Sequence, residues 1–180
     1  MSKETPFVAL LRGINLGRKR VAMPELKRVV ESLGYGSVRT LLNTGNVVFS
    51  SGKAGADRHG ARLERAIAEE LGVSCRVIVL AAADLTEIVE ANPLAEIADH
   101  PSRLQVAVLA APADRDGVAP LTKRRWEPEA IALGRRSAYL WCPNGYAKSP
   151  LAEVFARAAR DRVTVRTWGT ITKLHGLMAG

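Results

Sequence analysis

Short apolar runs alternate with amphipathic stretches along the first half of the chain. Residues 7–11 form a continuous apolar run between Pro6 and a glycine-containing segment, which predicts a buried strand. Apolar side chains then recur at helical spacing in two stretches, each followed by a glycine, which predicts two amphipathic helices. The helices are expected at residues 23–33 and 63–71, a hairpin at 38–42 and 47–50, and a further strand at 76–80.

The second half repeats this alternation. An apolar strand at residues 104–110 precedes a weaker helical stretch at 118–126. Two short strands, a helix that starts with a proline, a last strand and a terminal helix follow. We expect these elements at residues 130–133, 138–141, 150–159, 163–168 and 171–178.

The order strand, helix, hairpin, helix, strand is the βαββαβ motif of ferredoxin-like domains. The chain is therefore predicted to be an α+β protein that consists of two ferredoxin-like halves, a duplication in which antiparallel sheets carry helices packed on them. The halves are expected at residues 1–81 and 102–180, the second with an extra C-terminal helix. Residues 82–101 are expected to be a connector that contains a short helix.

The strands themselves argue against an open RNA-binding sheet. Recognition by stacking on a sheet face requires aromatic side chains displayed from the strands. Residues 7–11 and 47–50 are instead near-continuous apolar runs, which predict that both faces of the sheet are covered.

Charge is the strongest compositional feature. The chain carries 26 basic and 18 acidic residues, for a net charge of +8. Such a field attracts anions, including nucleic acid and phosphorylated metabolites. The basic residues are scattered rather than gathered in one run, so a solvated surface explains them equally well.

No segment predicts membrane insertion or export. The N-terminus lacks the apolar core of a signal peptide, and the longest apolar runs are too short to cross a bilayer. We therefore expect a cytoplasmic protein without a membrane partner, whose Cys75 and Cys142 are reduced. Its histidines show no metal-ligand spacing and no nucleophile stands beside a base, so neither metal nor cofactor is predicted and catalysis remains open.

Topology brings polar loops together in each half. In the first half, the loop at residues 12–20 and the turn at 43–46 fall at one end of the sheet. In the second half, the loop at 144–149 falls beside the strand exit at 166–170. Backbone N–H groups that glycine residues leave accessible, helix N-termini and cations together favour an anion site. The spacing is neither a Walker A motif nor a Rossmann fingerprint.

Ordinary turn chemistry explains the same residues, because Asn and Gly supply positive φ. Trp168 either stacks on a ring or fills a gap beside the terminal helix. The two polar ends either share one cleft or each cap their own half. The predicted ligand-binding residues are Arg12, Asn15, Lys19, Thr44, Asn46, Lys148, Ser149, Arg166, Trp168, Thr170 and Lys173.

Several stretches resemble a bacterial family of unknown function, DUF1697. The resemblance rests on residues 9–17, 38–40, 44–49 and 166–170, with Lys173 and Leu174. It implies no activity, but it places the family's distinctive polar residues in the loops that topology selects. Three positions depart from the family pattern: Arg18 stands for a usual Gly, Thr167 for Asn, and Gly169 for a common Asn.

Three functions are compatible with these observations. The first is binding of a phosphate-bearing or otherwise anionic small molecule. The second is non-specific association with nucleic acid, which predicts a steep dependence on salt. The third is a structural or interaction protein without a ligand, which predicts no thermal stabilisation by any metabolite.

Overall fold

The computed structural model describes residues 4–17, 19–52 and 55–180. The strands are β1 Thr5–Arg12, β2 Gly36–Leu41, β3 Asn46–Ser51, β4 Arg76–Ala81, β5 Leu104–Leu109, β6 Ala130–Leu133, β7 Ser137–Trp141 and β8 Val163–Thr167. The helices are α1 Met23–Ser32, α2 Ala56–Leu71, α3 Ala82–Glu90, α4 Arg115–Val118, α5 Pro150–Ala159 and α6 Trp168–Ala179. Short 3-10 turns lie at Pro112–Asp114, Ala119–Lys123 and Tyr146–Lys148.

The strands form two four-stranded sheets with equivalent topology. Their orders are β2-β3-β1-β4 and β6-β7-β5-β8, and all neighbouring strands are antiparallel. The prediction of two ferredoxin-like halves in an α+β fold is therefore confirmed.

The chain divides into two compact units. The first consists of Met1–Leu85 together with Leu174–Gly180, and the second of Thr86–Lys173. Within the first unit, Arg39 Nη2 on β2 donates a hydrogen bond of 2.6 Å to the Leu177 carbonyl near the end of α6. A cation at this position satisfies a carbonyl group that the helix end leaves without an intrahelical partner.

The core of the first unit arises from strand alternation. Phe7, Ala9 and Leu11 belong to the cluster that includes the buried side chains of α1 and α2. Val8 and Leu10 point to the other face of the sheet, and both are fully buried. Every residue of β5 in the second unit is also buried. The prediction that the apolar strands are covered on both faces is thus confirmed.

The helix predicted at residues 118–126 is wrong. Helix α4 covers only Arg115–Val118, between the two 3-10 turns Pro112–Asp114 and Ala119–Lys123. Gly117 and Pro120 explain the interruption, because glycine weakens a helix and proline removes a backbone N–H. Val118 and Leu121 are buried nevertheless. The spacing of the apolar residues therefore indicated which side chains are buried, but not a continuous helix.

Candidate functional site

The loop after β1 is tied to the β2–β3 turn by the side chain of Asn15. Its Nδ2 donates to the Asn43 carbonyl at 2.7 Å and to the Val21 carbonyl at 3.3 Å. Its Oδ1 accepts from the Val21 N–H at 2.7 Å. Asn15 has a φ of 57°, a conformation that Asn tolerates better than most residues. The two loops that topology assigned to one end of the sheet therefore do meet, and Asn15 joins them.

The β2–β3 turn is held by Asn46. This side chain is fully buried, and its Nδ2 donates to the Leu41 carbonyl at 2.8 Å and to Thr44 Oγ1 at 2.9 Å. The backbone of Leu11 also donates to the Gly45 carbonyl at 2.8 Å. Asn46 thus fixes the turn, while Thr44 remains exposed at its tip.

Two arginines face each other where β1 ends and β4 begins. Arg12 and Arg76 are direct partners in the antiparallel register, and both are exposed. Directly opposed residues share a face of the sheet, with Cβ atoms about 5 Å apart. By strand alternation this face is opposite to the one that carries α1 and α2. Two cations on one face of the sheet attract an anion to this place.

Arg76 is not among the ligand-binding residues predicted from the sequence. It starts a predicted strand, and ferredoxin-like topology places that strand beside β1. Antiparallel pairing of the end of one strand with the start of the other could have identified Arg76 as the partner of Arg12.

Lys19 lies at the C-terminal end of α2. Its Nζ donates to the Gly72 carbonyl at 2.9 Å, and Gly72 is the left-handed residue that ends the helix. A cation is favoured there, because the carbonyl ends of a helix carry partial negative charge. Arg18, which departs from the DUF1697 pattern, lies outside the described residues.

Replacing Lys19 with methionine should therefore lower stability slightly. The interaction of a cation with a helix C-terminus contributes about 0.3–1 kcal/mol, so we expect a decrease of that size in the free energy of unfolding. Urea denaturation at low salt measures it. Lys27→Met removes an exposed lysine from α1 and serves as the control, since its pair with Glu31 is solvent-exposed. Equal stability of the Lys19 variant and the native protein would contradict this role.

In the second unit, the predicted polar segments also lie at one end of a sheet. Trp141 on β7 pairs with Leu104, and Thr167 on β8 pairs with Gln105, so both strands end beside the start of β5. The Cys142 N–H donates to the Arg103 carbonyl at 3.0 Å.

A carboxylate of the protein itself already lies at the N-terminus of α5. Ser149 Oγ accepts from the Ala152 N–H at 2.9 Å and is the N-cap. The carboxylate of Glu129, which is 8% exposed, accepts from the Leu151 N–H at 3.0 Å. An open groove of about 450 Å³ beside this helix end is lined by Lys148 and Ser149. A second anion here would be repelled by Glu129.

Both cysteines have raised pKa values. Burial raises the pKa of Cys75 to about 11, and the charge of Glu64 adds to the effect. Burial also raises the pKa of Cys142; the hydrogen bond with Ser149 lowers it, and Glu129 raises it further. Because thiolate is the nucleophilic form, the raised pKa values disfavour nucleophilic reactions of both thiols at neutral pH.

The last residue of β8, Thr167, caps the N-terminus of helix α6. Thr167 Oγ1 accepts from the Thr170 N–H at 3.2 Å, and the two hydroxyl groups lie 3.1 Å apart. Helix α6 consequently begins at Trp168, three residues earlier than the predicted 171. Asn and Thr are both good N-caps, so the capping chemistry is compatible with either residue at position 167. Trp168 is a partly buried residue in the first turn of this helix.

The two remaining candidate cations differ in exposure. Arg166 is 9% exposed and donates to Thr164 Oγ1 at 2.8 Å and to the Val165 carbonyl at 2.9 Å. Burial lowers the pKa of Arg166 to about 10, so its guanidinium stays charged at neutral pH. Lys173 lies on α6 and is exposed.

Comparison with known proteins identifies the family. Residues 5–139 match the family model described as "Protein of unknown function (DUF1697)". The chain belongs to the DUF1697 family. Among solved structures it is similar to the conserved bacterial protein SP0830 from Streptococcus pneumoniae, with 21% identity and a TM-score of 0.81 over 99% of this chain and 100% of that one. No curated protein matches it significantly.

The DUF1697 match covers only part of the candidate residues. It contains Arg12, Asn15, Lys19, Thr44, Asn46 and Arg76, whereas Lys148, Ser149 and residues 166–173 follow it. None of the described helices combines the length and the hydrophobicity that crossing a bilayer requires.

Proposed function

We propose that this DUF1697 protein binds a phosphate-bearing or otherwise anionic small ligand at the Arg12–Arg76 end. We define this end as Arg12 and Arg76, the loop residues 13–17, 19 and 20, and the turn at residues 42–46. The observation that carries the proposal is the cross-strand pair of exposed arginines. An anion between them would lie close to two cations.

Arginine is suited to this role. Its planar guanidinium can donate two parallel hydrogen bonds to phosphate or carboxylate oxygens. Arg20, in the same end, adds a further exposed cation. Within the described ranges, neither Arg20 nor Arg76 makes an ion pair, so both are available to a ligand.

The asparagines have a different part in this proposal. Asn15 and Asn46 use their side chains on backbone carbonyls and on Thr44, so they position the loops. Lys19 is engaged at the end of α2 and contributes charge rather than a direct contact. The ligand contacts therefore come chiefly from the arginines.

The polar end of the second unit supports the proposal less well. The carboxylate of Glu129 occupies the helix N-terminus beside Lys148 and Ser149. Arg166 is buried and satisfied in part by Thr164. These features favour the Arg12–Arg76 end as the place where the ligand binds, and we propose binding without a catalytic step.

The test is a calorimetric titration with inorganic phosphate at low ionic strength, where charge interactions are least screened. Arg76→Ala should weaken binding by about 10- to 100-fold, because a hydrogen bond to a charged group contributes about 1.5–3 kcal/mol. The matched control is Arg58→Ala, which removes an exposed arginine near the start of α2, at the opposite end of the same sheet. Equal weakening by both variants would show that net charge alone is responsible.

The alternatives give different results in the same experiments. Non-specific nucleic-acid binding predicts that affinity for a DNA duplex falls linearly with salt on a log–log plot, with a slope that reports the phosphates neutralised. A protein without a ligand predicts no rise in melting temperature with phosphate. Either outcome, with no phosphate binding, would replace the proposal.

A further inference from the structure

Two exposed leucines lie at the Arg12–Arg76 end. Leu16 is 85% exposed and Leu42 is 51% exposed. They are chain neighbours of Asn15 and Asn43, whose side chain and carbonyl are joined by the 2.7 Å hydrogen bond. The two leucines therefore belong to segments at the same end of the sheet as the arginines.

The fold does not explain these leucines. Leu11 and Ile14, which precede Leu16 in the same segment, are 2% and 5% exposed and belong to the core. Leu16 contributes almost nothing to that core, because nearly all of its side chain remains in water. An exposed apolar side chain gains free energy only when a partner removes it from water.

Leu42 is also conformationally strained. Its φ is 58°, in the left-handed region that Gly and Asn occupy at lower cost. Gly or Asn would thus form the same turn with less strain. Strained residues of this kind cluster at binding sites, where the side chain has another use.

We infer that the anionic ligand carries an apolar body, which packs against Leu16 and Leu42 while its anionic group contacts the arginines. This inference rests on the proposed function and specifies its ligand class: a phosphate or carboxylate attached to an aliphatic or aromatic group. A bare inorganic anion would leave both leucines in water.

The experiment compares alkyl phosphates that differ only in their apolar part. Hexyl phosphate should bind the native protein about tenfold more tightly than methyl phosphate, the effect of burying roughly two methylene groups. Phenyl phosphate tests an aromatic group in the same way. Whichever of hexyl and phenyl phosphate binds more tightly shows whether the apolar part of the ligand is aliphatic or aromatic. The double variant Leu16→Ser/Leu42→Asn should lose the preference and keep its affinity for methyl phosphate. Asn tolerates the backbone of position 42, so this variant is expected to fold.

The control variant is Ile97→Asn, which removes an exposed apolar side chain from the second unit and should leave the preference unchanged. Equal binding of methyl, hexyl and phenyl phosphate would overturn the inference and leave the proposed function standing. A preference that survives in the double variant would also overturn it. If methyl phosphate does not bind at all, the proposed function fails, and the inference with it.

Discussion

Gly45→Ala is expected to lower the free energy of unfolding by about 3 kcal/mol. Gly45 has a φ of 81°, and a left-handed conformation costs a residue with a Cβ about 1–2 kcal/mol. A Cβ here would also lie 2.7 Å from Ile14 Cδ1 and 2.8 Å from Leu11 Cβ, inside the core. Overpacking of this kind costs a further ~1–3 kcal/mol. Urea denaturation, extrapolated linearly to water, measures the sum.

Gly13→Ala separates the two contributions. Gly13 has a φ of 87°, but a Cβ added there would meet nothing within 4 Å. We therefore expect only the conformational cost, about 1–2 kcal/mol. Equal destabilisation by both substitutions would show that the contact of the turn with Ile14 and Leu11 is unimportant.

Asn15→Ala is expected to have the second largest effect, a loss of about 2–3 kcal/mol. Three hydrogen bonds disappear, and each typically contributes about 0.5–1.5 kcal/mol, although part of this loss is recovered because the groups can reach water. Alanine is also strained at a φ of 57°. The loop is no longer tied to the turn, so phosphate affinity should fall together with stability. Denaturation and calorimetry measure the two effects.

Asn15→Gly isolates the hydrogen bonds, because glycine tolerates the positive φ. It should lose stability and affinity, but by less than Asn15→Ala. Asn144→Ala, in the exposed loop after β7, should change neither quantity appreciably. If Asn15→Ala leaves the unfolding free energy unchanged, the link between the two loops has no energetic importance.

The fold was predictable because the local patterns agree with one another. The apolar runs gave the strands and their burial on both faces, and the element order gave the antiparallel sheets. The failure at residues 118–126 arose because buried Val118 and Leu121 imitate helical spacing around Gly117 and Pro120. Helix α6 likewise begins earlier than predicted, because Thr167 caps it. A threonine at a strand end does not indicate which backbone N–H will donate a hydrogen bond to it.

The candidate site was only partly predictable. Topology placed the loop of Asn15 beside the turn of Asn46, and the structure has them in contact. The use of each side chain depends on tertiary geometry, so the sequence did not reveal that Lys19 reaches the end of α2. Arg76 is different, because antiparallel pairing of the start of β4 with the end of β1 could have placed it near Arg12, and only the exact register required the structure. Glu129 approaches the N-terminus of α5 from a distant segment, and no local pattern indicates it.

The proposed binding of an anion between Arg12 and Arg76 is tested most directly by amide NMR spectra recorded during a phosphate titration. Saturable chemical-shift changes should concentrate in the amides of residues 12–17, 43–46 and 76, and they should be weakened strongly in Arg76→Ala. They should persist in Arg58→Ala. Changes confined to residues 144–153, or no saturable change anywhere, would contradict the claim.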